Sequence, residues 1–460
     1  MKTSKTTQVF CLVLGLTGAA SLGAYGVSLL MQEDQGAIEM ASKKKSQRPL
    51  DLGQASNQTS KTREESKVLL NDPAISQAWG FKKSDAQRAW EVSQGSKDIV
   101  VAVIDTGIDI NHEDLKANLW VNTSETGKDA KGRDKATNGI DDDGNGCVDD
   151  VYGCNFITNT GDLTDNHGHG THIAGIIGAE AGNNKGIAGI SPKVSLMILK
   201  YFDPKAPNTD NLKNTVAAIR YAVEKGARII NYSGGGTEFS QDEKNAIEEA
   251  RKAGVLFVAA AGNERSNSDH HKYYPADYGL SNIISVTAID PSTEVLPSSN
   301  YGVETVDIAA PGQNILSTLP NSAYGYMTGT SQATAFVTGA AVLVMAHYPD
   351  FSAEEAKKYI LSTGDSQQSL LAKTRTSRQL NLYKTLTMID SQVAANGVRA
   401  VNTASSAVTL NGVRSISNAG TATGDPAFES SMPLNEANRN MIGFGQSLVN
   451  SLRSADASKN

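Results

Sequence analysis

Residues 326–334 read Tyr-Met-Thr-Gly-Thr-Ser-Gln-Ala-Thr and lead into an apolar run at residues 335–345. This run is long enough for a buried helix, and Pro349 ends it soon afterwards. Ser331 is therefore predicted in the first turn, where unpaired N–H groups and the positive end of the helix dipole favour developing negative charge. A hydroxyl there is either a nucleophile or an ordinary helix N-cap. The rest of the chain decides between the two interpretations.

A parallel sheet is predicted by five apolar runs that alternate with helical patterns. The runs cover residues 99–104, 195–200, 228–232, 255–260 and 283–288. Because strands of this kind are buried on both faces, we expect a three-layer α/β/α fold with a mostly parallel central sheet. Ligands of such sheets bind beyond the carboxyl ends of the strands. Asp105 and Asn263 each follow such an end.

Two of the predicted helices carry the spacing of a capping box, in which a Ser and a Glu side chain each bind the other's backbone N–H group. Ser240 and Glu243 begin a helix that ends at Gly254, and Ser352 and Glu355 begin a later one. Both pairs predict a reciprocal pair of hydrogen bonds.

The second stretch with candidate catalytic residues is 165–175. It reads Asp-Asn-His-Gly-His-Gly-Thr-His-Ile-Ala-Gly and holds three of the seven histidines. Their spacing is compatible with a metal site, although the stretch has neither a nearby cysteine nor an obvious third ligand. The alternative is that His169 begins a helix and acts as a general base. Gly168 and Gly170 would then let the backbone approach the imidazole closely.

An aspartate that ends a strand, a histidine that begins a helix and a serine that begins another helix follow in the order Asp, His, Ser, which is the order found in subtilisin. Residues 103–109, 169–175 and 329–334 resemble the three catalytic motifs of the subtilisin-like serine endopeptidases, the subtilases. The resemblance extends from about Asn71 to about Leu386. It implies a peptidase domain with the subtilisin-like fold at residues 71–388.

The resemblance also implies a role for each matching residue. Ser331 would attack the scissile carbonyl, His169 would take its proton and return it to the leaving amine, and Asp105 would orient the imidazole. The side-chain amide of Asn263 would stabilise the oxyanion. The segment that would pair with an extended protein or peptide substrate is Ser233, Gly234 and Gly235.

Three residues after the serine depart from the family pattern, which is usually Met-Ala-Thr-Pro-His. Ala335 replaces a first-turn proline with a better helix former, so the helix is expected to persist. Phe336 is expected to be a packing replacement. Gln332 lies beside the nucleophile, where it is expected to alter contacts on the leaving-group side.

Residues 138–150, Asn-Gly-Ile-Asp-Asp-Asp-Gly-Asn-Gly-Cys-Val-Asp-Asp, resemble the first part of an EF-hand calcium loop. The usual glutamate at the last position is replaced by Tyr152, so Asp150 is expected to substitute. A solvated acidic loop is the alternative interpretation. The expected calcium ligands are Asp141, Asp143, Asn145, Asp149 and Asp150.

A second calcium site is implied by the family resemblance alone and would use Asp72, Asp114 and Asn184. Cys147 and Cys154 are seven residues apart, and outside the cytoplasm a disulfide between them would close the acidic loop; the sequence leaves open whether they are bridged.

Composition bounds the partners and the compartment. The chain has 460 residues, 39% of them hydrophobic, and a net charge of −7, which argues against a nucleic-acid partner. Residues 1–31 predict a cleaved signal peptide or a retained signal anchor, so the protein is expected outside the cytoplasm and at a membrane only through an uncleaved segment. Residues 32–70 read as a polar linker or short pro-region. Residues 389–460 read as a low-complexity tail, in which Met441, Phe444, Leu448 and Leu452 have the spacing of one amphipathic helix.

Three function classes remain in competition. The leading one is an exported serine endopeptidase. The second is a protein with this fold that binds peptides without turnover, against which the complete set of catalytic residues argues. The third is a zinc hydrolase that uses the histidine cluster, which lacks ligands.

Overall fold

The computed structural model describes residues 71–388, so the predicted N-terminal segment, the linker and the C-terminal tail lie outside the described residues. Seven α-helices with complete bounds and eleven strands are present in this described part. The helices are α1 Trp79–Lys83, α2 Ala86–Trp90, α3 His169–Gly178, α4 Asn211–Glu224, α5 Gln241–Lys252, α6 Thr330–His347 and α7 Ala353–Thr363. The strands are β1 Gly95–Asp105, β2 Gly153–Asn155, β3 Lys193–Lys200, β4 Ile229–Tyr232, β5 Leu256–Ala260, β6 Ile283–Ile289, β7 Ile308–Pro311, β8 Ile315–Leu319, β9 Ala323–Met327, β10 Asp365–Ser366 and β11 Arg378–Gln379.

Nine strands form one sheet in the order β10-β11-β7-β6-β5-β4-β1-β3-β2. All neighbouring pairs are parallel except β10 with β11. Strands β8 and β9 form a separate antiparallel hairpin that the sequence analysis did not predict. The predicted three-layer α/β/α architecture with a mostly parallel central sheet is confirmed.

Both faces of the sheet are buried, and successive residues of β1 show why. Val101 and Val103 belong to the core that also contains residues of α3 and α6, whereas Ala102 and Ile104 belong to the core formed with α4 and α5. Successive side chains of a strand point to opposite faces, so an unbroken apolar run serves two cores. Because β1 ends at Asp105, this residue lies where the carboxyl ends of the parallel strands meet.

Helix α6 is buried along nearly its whole length, from Thr330 to Met345. It packs against β1 and β4–β7 and against helices α3 and α7. Half of its residues are Ala, Val or Gly, which lets the backbone lie close to its neighbours. A Cβ on Gly339, for example, would come within 2.5 Å of Ile190 in the loop before β3. The helix begins at Thr330, so Ser331 is its second residue.

The two predicted capping boxes have different outcomes. Ser352 and Glu355 form the reciprocal pair, as predicted. At α5 only half of the box forms, because the Glu243 N–H donates to Ser240 Oγ while the Glu243 carboxyl lies against the hydroxyl of Tyr278 at 2.7 Å. The Ser240 N–H contacts the same hydroxyl at 3.2 Å. The prediction for Glu243 is therefore wrong, because its carboxyl binds the hydroxyl of Tyr278, 35 residues further along the chain, and not the Ser240 N–H.

Burial favours an uncharged Glu243, whereas the hydrogen bond that Tyr278 donates to its carboxyl favours the charged form. The Tyr278 hydroxyl also lies 3.0 Å from the Ser240 carbonyl, and its single proton can serve only one of its two acceptors. Burial raises the pKa of Glu243 to about 7 from its ordinary 4.5.

Glu243 is accordingly expected to make stability depend on pH. Because the folded-state pKa is above the unfolded one, its stabilising contribution is complete below pH 4.5 and is lost as the pH rises through about 7. Across that interval wild type is expected to lose on the order of 3 kcal/mol relative to Glu243→Gln. Urea unfolding at a series of pH values, in a Ser331→Ala background that excludes self-digestion, measures the difference.

The matched control is Glu249→Gln on the exposed side of α5, which should follow the pH dependence of wild type. Parallel pH profiles for wild type and Glu243→Gln would contradict the protonated state of Glu243.

Candidate active site

Asp105 and His169 form a buried pair at the carboxyl edge of the sheet. His169 is the first residue of α3, and its Nδ1 lies 2.7 Å from Asp105 Oδ1. His169 is 1% exposed and Asp105 is 2% exposed. Burial by itself lowers the pKa of His169, but the charge and hydrogen bond of Asp105 outweigh it and raise this pKa above its ordinary 6.5. The pair can therefore hold a proton on the imidazole and stabilise the resulting cation.

Asp165 fixes the helix start that carries His169, a role that the sequence analysis missed. Its carboxylate accepts hydrogen bonds from the backbone N–H groups of His167, Gly168 and Thr171 at 2.7–3.0 Å. It also accepts from the hydroxyls of Thr106 and Thr171. Burial raises the pKa of Asp165, but these donors outweigh burial and lower the pKa overall. Its place at the start of the quoted motif was the only sequence signal.

Ser331 lies on α6, which packs against α3. Its hydroxyl donates to the carbonyl of Ser233 at 3.1 Å, and the Ser233 hydroxyl contacts the Ser331 carbonyl at 3.3 Å. Ser331 is 5% exposed. The structure thus brings together the helix of His169, the helix of Ser331 and the segment that begins at Ser233.

Asn263 follows β5 and is exposed. Its Oδ1 accepts hydrogen bonds from the backbone N–H of Thr330 at 3.0 Å and from the Thr330 hydroxyl at 3.3 Å. Because the carbonyl oxygen of the amide is held by the residue before Ser331, the Nδ2 donor points away from Thr330. Asn263 is therefore beside the first turn of α6, as the family resemblance implies.

The segment Ser233–Gly235 follows β4 and has room only for glycine at two positions. A Cβ on Gly234 would lie 2.4 Å from the hydroxyl oxygen of Tyr201, and one on Gly235 would lie 2.5 Å from the ring of Tyr273. Gly235 also has a φ of 153°, in the region that disfavours side chains. Internal packing against buried tyrosines therefore requires glycine at both positions.

His172 does not contribute to a metal site. Its Nε2 lies 3.0 Å from the carbonyl of Ile315 and 3.2 Å from that of Gly325, so the imidazole ties α3 to the β8–β9 hairpin as a donor. Burial, and then the nearby His169, lower the pKa of His172 to about 3. Within residues 71–388 the histidines form no group with metal-ligand spacing.

The departures from the family pattern are buried. Phe336 is 1% exposed and its ring lies 6.1 Å from that of Phe81, which confirms a packing replacement. Gln332 is fully buried, and neither amide atom has a hydrogen-bond partner among the described residues.

One group of acidic residues in the described part has the spacing of a cation site, and it differs from the predicted set. It consists of Glu125, Asp143 and Asp150, with ligand oxygens within 4.8 Å of one another. Glu125 is fully buried; its Oε1 accepts from the Asp142 N–H, whereas its Oε2 has no hydrogen-bond partner in residues 71–388. Burial, and then the neighbouring carboxylates, raise the pKa of Glu125 to about 6. Sequence reasoning missed Glu125 because it precedes the loop, on a separate 3-10 helix.

The other predicted ligands of this loop bind protein donors. The Asp141 carboxylate accepts from the N–H groups of residues 144, 145 and 146, and that of Asp149 accepts from Gly139. Asn145 Oδ1 accepts from the Cys147 N–H. These three therefore shape the loop. Asp143 also bonds Lys225 Nζ at 2.6 Å, a charge with which any cation must compete.

At the predicted second calcium site, the two aspartates accept hydrogen bonds from protein N–H and O–H groups. Asp72 accepts from the N–H groups of Gly182 and Asn183, and Asp114 accepts from the Ile187 N–H and the Tyr324 hydroxyl. The side chain that reaches Asp114 is that of Asn183, at 2.9 Å, while Asn184 is exposed. Protein donors thus use the carboxylate oxygens here, as they also do for Asp143 and Asp150. The first group differs in that Glu125 Oε2 has no hydrogen-bond partner among the described residues, which makes the second site the weaker candidate for a cation.

A disulfide between Cys147 and Cys154, which the sequence left open, joins the acidic loop to β2. In the part of the chain that is described, no helix combines the length and the apolarity needed to cross a membrane.

Residues 96–421 match the model of the subtilase family. The major intracellular serine protease of Bacillus subtilis (strain 168) is 36% identical over 309 residues, which are 67% of this chain and 84% of that protein. Subtilisin-like protease 1 of Plasmodium berghei (strain Anka) is 32% identical over 306 residues, 62% of this chain and 49% of that protein. Across the first curated relatives that it matches, the chain spans between 22% and 57% of their length.

A solved structure described as proteases from Pseudoalteromonas arctica PAMC 21717 is similar in fold. It aligns with a TM-score of 0.53 and 26% identity, over 69% of this chain and 98% of that one. The family match covers most of the chain, and the fold and the site geometry agree with it. The chain belongs to the subtilase family.

Proposed function

We propose that this protein is a serine endopeptidase that hydrolyses peptide bonds through an acyl-enzyme intermediate. The observation that carries the proposal is the buried Asp105–His169 pair, whose histidine begins a helix packed against the helix of Ser331. Family membership supports it, since the relatives that match include named serine proteases.

In the proposed mechanism Ser331 Oγ attacks the scissile carbonyl carbon while its proton passes to His169. The resulting tetrahedral intermediate collapses, and His169 returns the proton to the leaving amine nitrogen as the C–N bond breaks. Water then attacks the acyl-enzyme in the same way and regenerates the serine. Asp105 stays ionised throughout, orients the imidazole and stabilises its cationic form.

The oxyanion of the intermediate is proposed to bind between Asn263 Nδ2 and the backbone N–H of Ser331. Thr330 supports this role because it holds the amide oxygen of Asn263 and so turns the donor away from itself. The N-terminal end of α6 adds the positive end of its dipole.

The proposed substrates are proteins or peptides in extended conformation. Ser233, Gly234 and Gly235 present backbone without bulky side chains beside Ser331, which suits pairing with an added strand. The net charge of −7 argues against nucleic acid as a partner.

A fluorophosphonate probe tests the proposal. We expect it to label Ser331 alone at neutral pH, with the site mapped by peptide mass spectrometry. Peptide binding without labelling or turnover would indicate a binding protein, and hydrolysis that a chelator abolishes, without labelling, would indicate a metal hydrolase. Either outcome would overturn the proposal.

We also propose that calcium binds the acidic group. The fit rests on its oxygen donors and on the buried Oε2 of Glu125, which no residue of the described part satisfies. Hard divalent cations prefer carboxylate oxygens, and the positive charge would relieve the repulsion among the three carboxylates. Glu125, Asp143 and Asp150 would hold the ion, and its contribution would be to stability rather than to the reaction.

Calcium is therefore expected to stabilise the fold. At 100 times the dissociation constant the gain is about 2.7 kcal/mol, because the ion binds the folded loop and not the unfolded chain. The double variant Glu125→Gln with Asp143→Asn should lose most of this gain. Thermal melts in a Ser331→Ala background, in calcium and in chelator, measure it.

Asp134→Asn is the control for the calcium experiment, because Asp134 is an exposed aspartate outside the acidic group. It should keep the full calcium effect. Coincident melts of the parent in both buffers would show a solvated acidic loop. Equal stabilisation of the parent and the double variant by calcium would show that the ion binds at another site, with Asp72 and Asp114 as the next candidates.

Finally, we propose that the protein acts outside the cytoplasm. The composition of residues 1–31 and the Cys147–Cys154 bridge support this, since disulfides persist in oxidising compartments. One relative is named an intracellular protease, so family membership leaves the compartment open. Fractionation with N-terminal sequencing is the test. A shortened chain in the medium indicates cleavage, a full-length chain in membranes indicates an anchor, and a purely cytoplasmic chain contradicts the proposal.

A further inference from the structure

Asn300 is a buried residue, 1% exposed, whose side chain contacts the segment 261–266 that carries Asn263. Its Nδ2 donates to the Ala261 carbonyl at 2.9 Å and to the Glu264 carboxylate at 2.7 Å. Its Oδ1 accepts from the backbone N–H groups of Glu264 and Ser266, both at 3.0 Å. One amide therefore binds the chain on both sides of Asn263.

The backbone of Asn300 strengthens this contact. Its N–H donates to the Gly262 carbonyl at 2.9 Å, so the residue directly before Asn263 is also held. A Cβ on Gly262 would lie 2.4 Å from Asn300 Nδ2, and the φ of Gly262 is 101°. Both the close approach and the backbone conformation require glycine at position 262.

Asn300 is itself attached to the central sheet. Its carbonyl accepts a hydrogen bond at 2.8 Å from the hydroxyl of Thr287, which lies in β6. A rigid strand thus supports Asn300, and Asn300 supports an exposed loop. Thr330 holds the side chain of Asn263 but does not hold the loop backbone from which that side chain projects.

We propose that Asn300 is a positioning residue for the oxyanion donor Asn263. The inference rests on the proposed function. An oxyanion donor acts only when it is held where the charge develops, and a displacement of about 1 Å can lower the rate by roughly 100-fold. The four side-chain hydrogen bonds of Asn300 fix the loop so that Asn263 Nδ2 needs no rearrangement during the reaction.

A double-mutant cycle between Asn300 and Asn263 tests the inference. Asn300→Ala should lower kcat about 10- to 100-fold with KM nearly unchanged, less than the loss from Asn263→Ala itself. In the Asn263→Ala background the same change should alter kcat by less than about twofold, because residues that act as one unit are not additive. The rate of fluorophosphonate labelling is a second readout.

Asn282→Ala is the matched control. Asn282 is a fully buried asparagine that bonds the Val255 carbonyl at 3.0 Å, away from the segment 261–266, so its loss tests destabilisation alone. It should lower the melting temperature without a comparable loss of kcat. If Asn300→Ala does not fold, Asn300→Asp keeps the shape and the Oδ1 acceptor but removes both Nδ2 donors, and it should lower kcat in the same non-additive way.

An unchanged kcat in Asn300→Ala or Asn300→Asp would overturn the inference, as would equal losses in the two backgrounds. Labelling of Ser331 in the wild-type protein tests the proposed function without any change at Asn300, so failure of the proposed function is recognised separately.

Discussion

Replacement of Ser331 by alanine is expected to lower kcat by about a millionfold, the size of the loss known for the equivalent change in subtilisin. The physical reason is that His169 and Asp105 act only through the hydroxyl, so the whole constellation becomes inactive at once. KM should change little, because the Ser233–Gly235 segment and its pairing with the peptide are untouched. Hydrolysis of a peptide with a chromogenic leaving group, at saturating concentration, gives both constants.

The control for Ser331 is Ser281→Ala, an exposed serine that bonds Glu354 at 3.2 Å, which should retain wild-type kcat. The variant Ser331→Ala should also lose fluorophosphonate labelling and keep its melting temperature. A kcat within about tenfold of wild type would refute Ser331 as the nucleophile, because the reaction cannot lose its nucleophile with so small an effect on turnover.

The change Asn263→Ala is expected to lower kcat by roughly 100- to 1000-fold, which corresponds to about 2.7–4 kcal/mol of transition-state stabilisation. This range is the one known for the equivalent donor of subtilisin. In the proposed mechanism the amide of Asn263 bonds the substrate oxygen only once that oxygen carries charge, so KM should be nearly unchanged. The same chromogenic assay separates the two constants.

Asn245→Ala on the exposed face of α5 is the matched control for Asn263 and should behave as wild type. A wild-type kcat in Asn263→Ala would show that the oxyanion donors come from other groups. A rise in KM with an unchanged kcat would instead indicate that Asn263 binds the substrate in its ground state.

Local sequence patterns predicted the elements that carry the site. The run at residues 99–104 predicted a strand buried on both faces, and β1 ends at Asp105. The small residues before the apolar run at 335–345 predicted a helix start, and α6 begins at Thr330. Each of these signals is encoded within about ten residues of chain, which is why periodicity and capping rules detect them.

Contacts between distant segments were not predictable in the same way. Glu125 joins Asp143 and Asp150, Tyr278 takes the carboxyl of Glu243 away from its cap, and Asn300 reaches back to the segment 261–266. In each case the partner lies 17 or more residues away, as for Asn300 and Glu264 with a separation of 36. No local pattern distinguishes such a side chain from a solvent-exposed one until the fold brings its partner near.

Helix α6 places the proposed nucleophile in a buried part of the described structure. Because α6 is buried from Thr330 to Met345 and contacts five strands of the central sheet, it cannot open without loss of the core. Segments of this kind exchange their amide protons only through global unfolding. Loss of the nucleophile on heating and loss of the fold are therefore one cooperative event, and a molecule that is still folded keeps its serine in place.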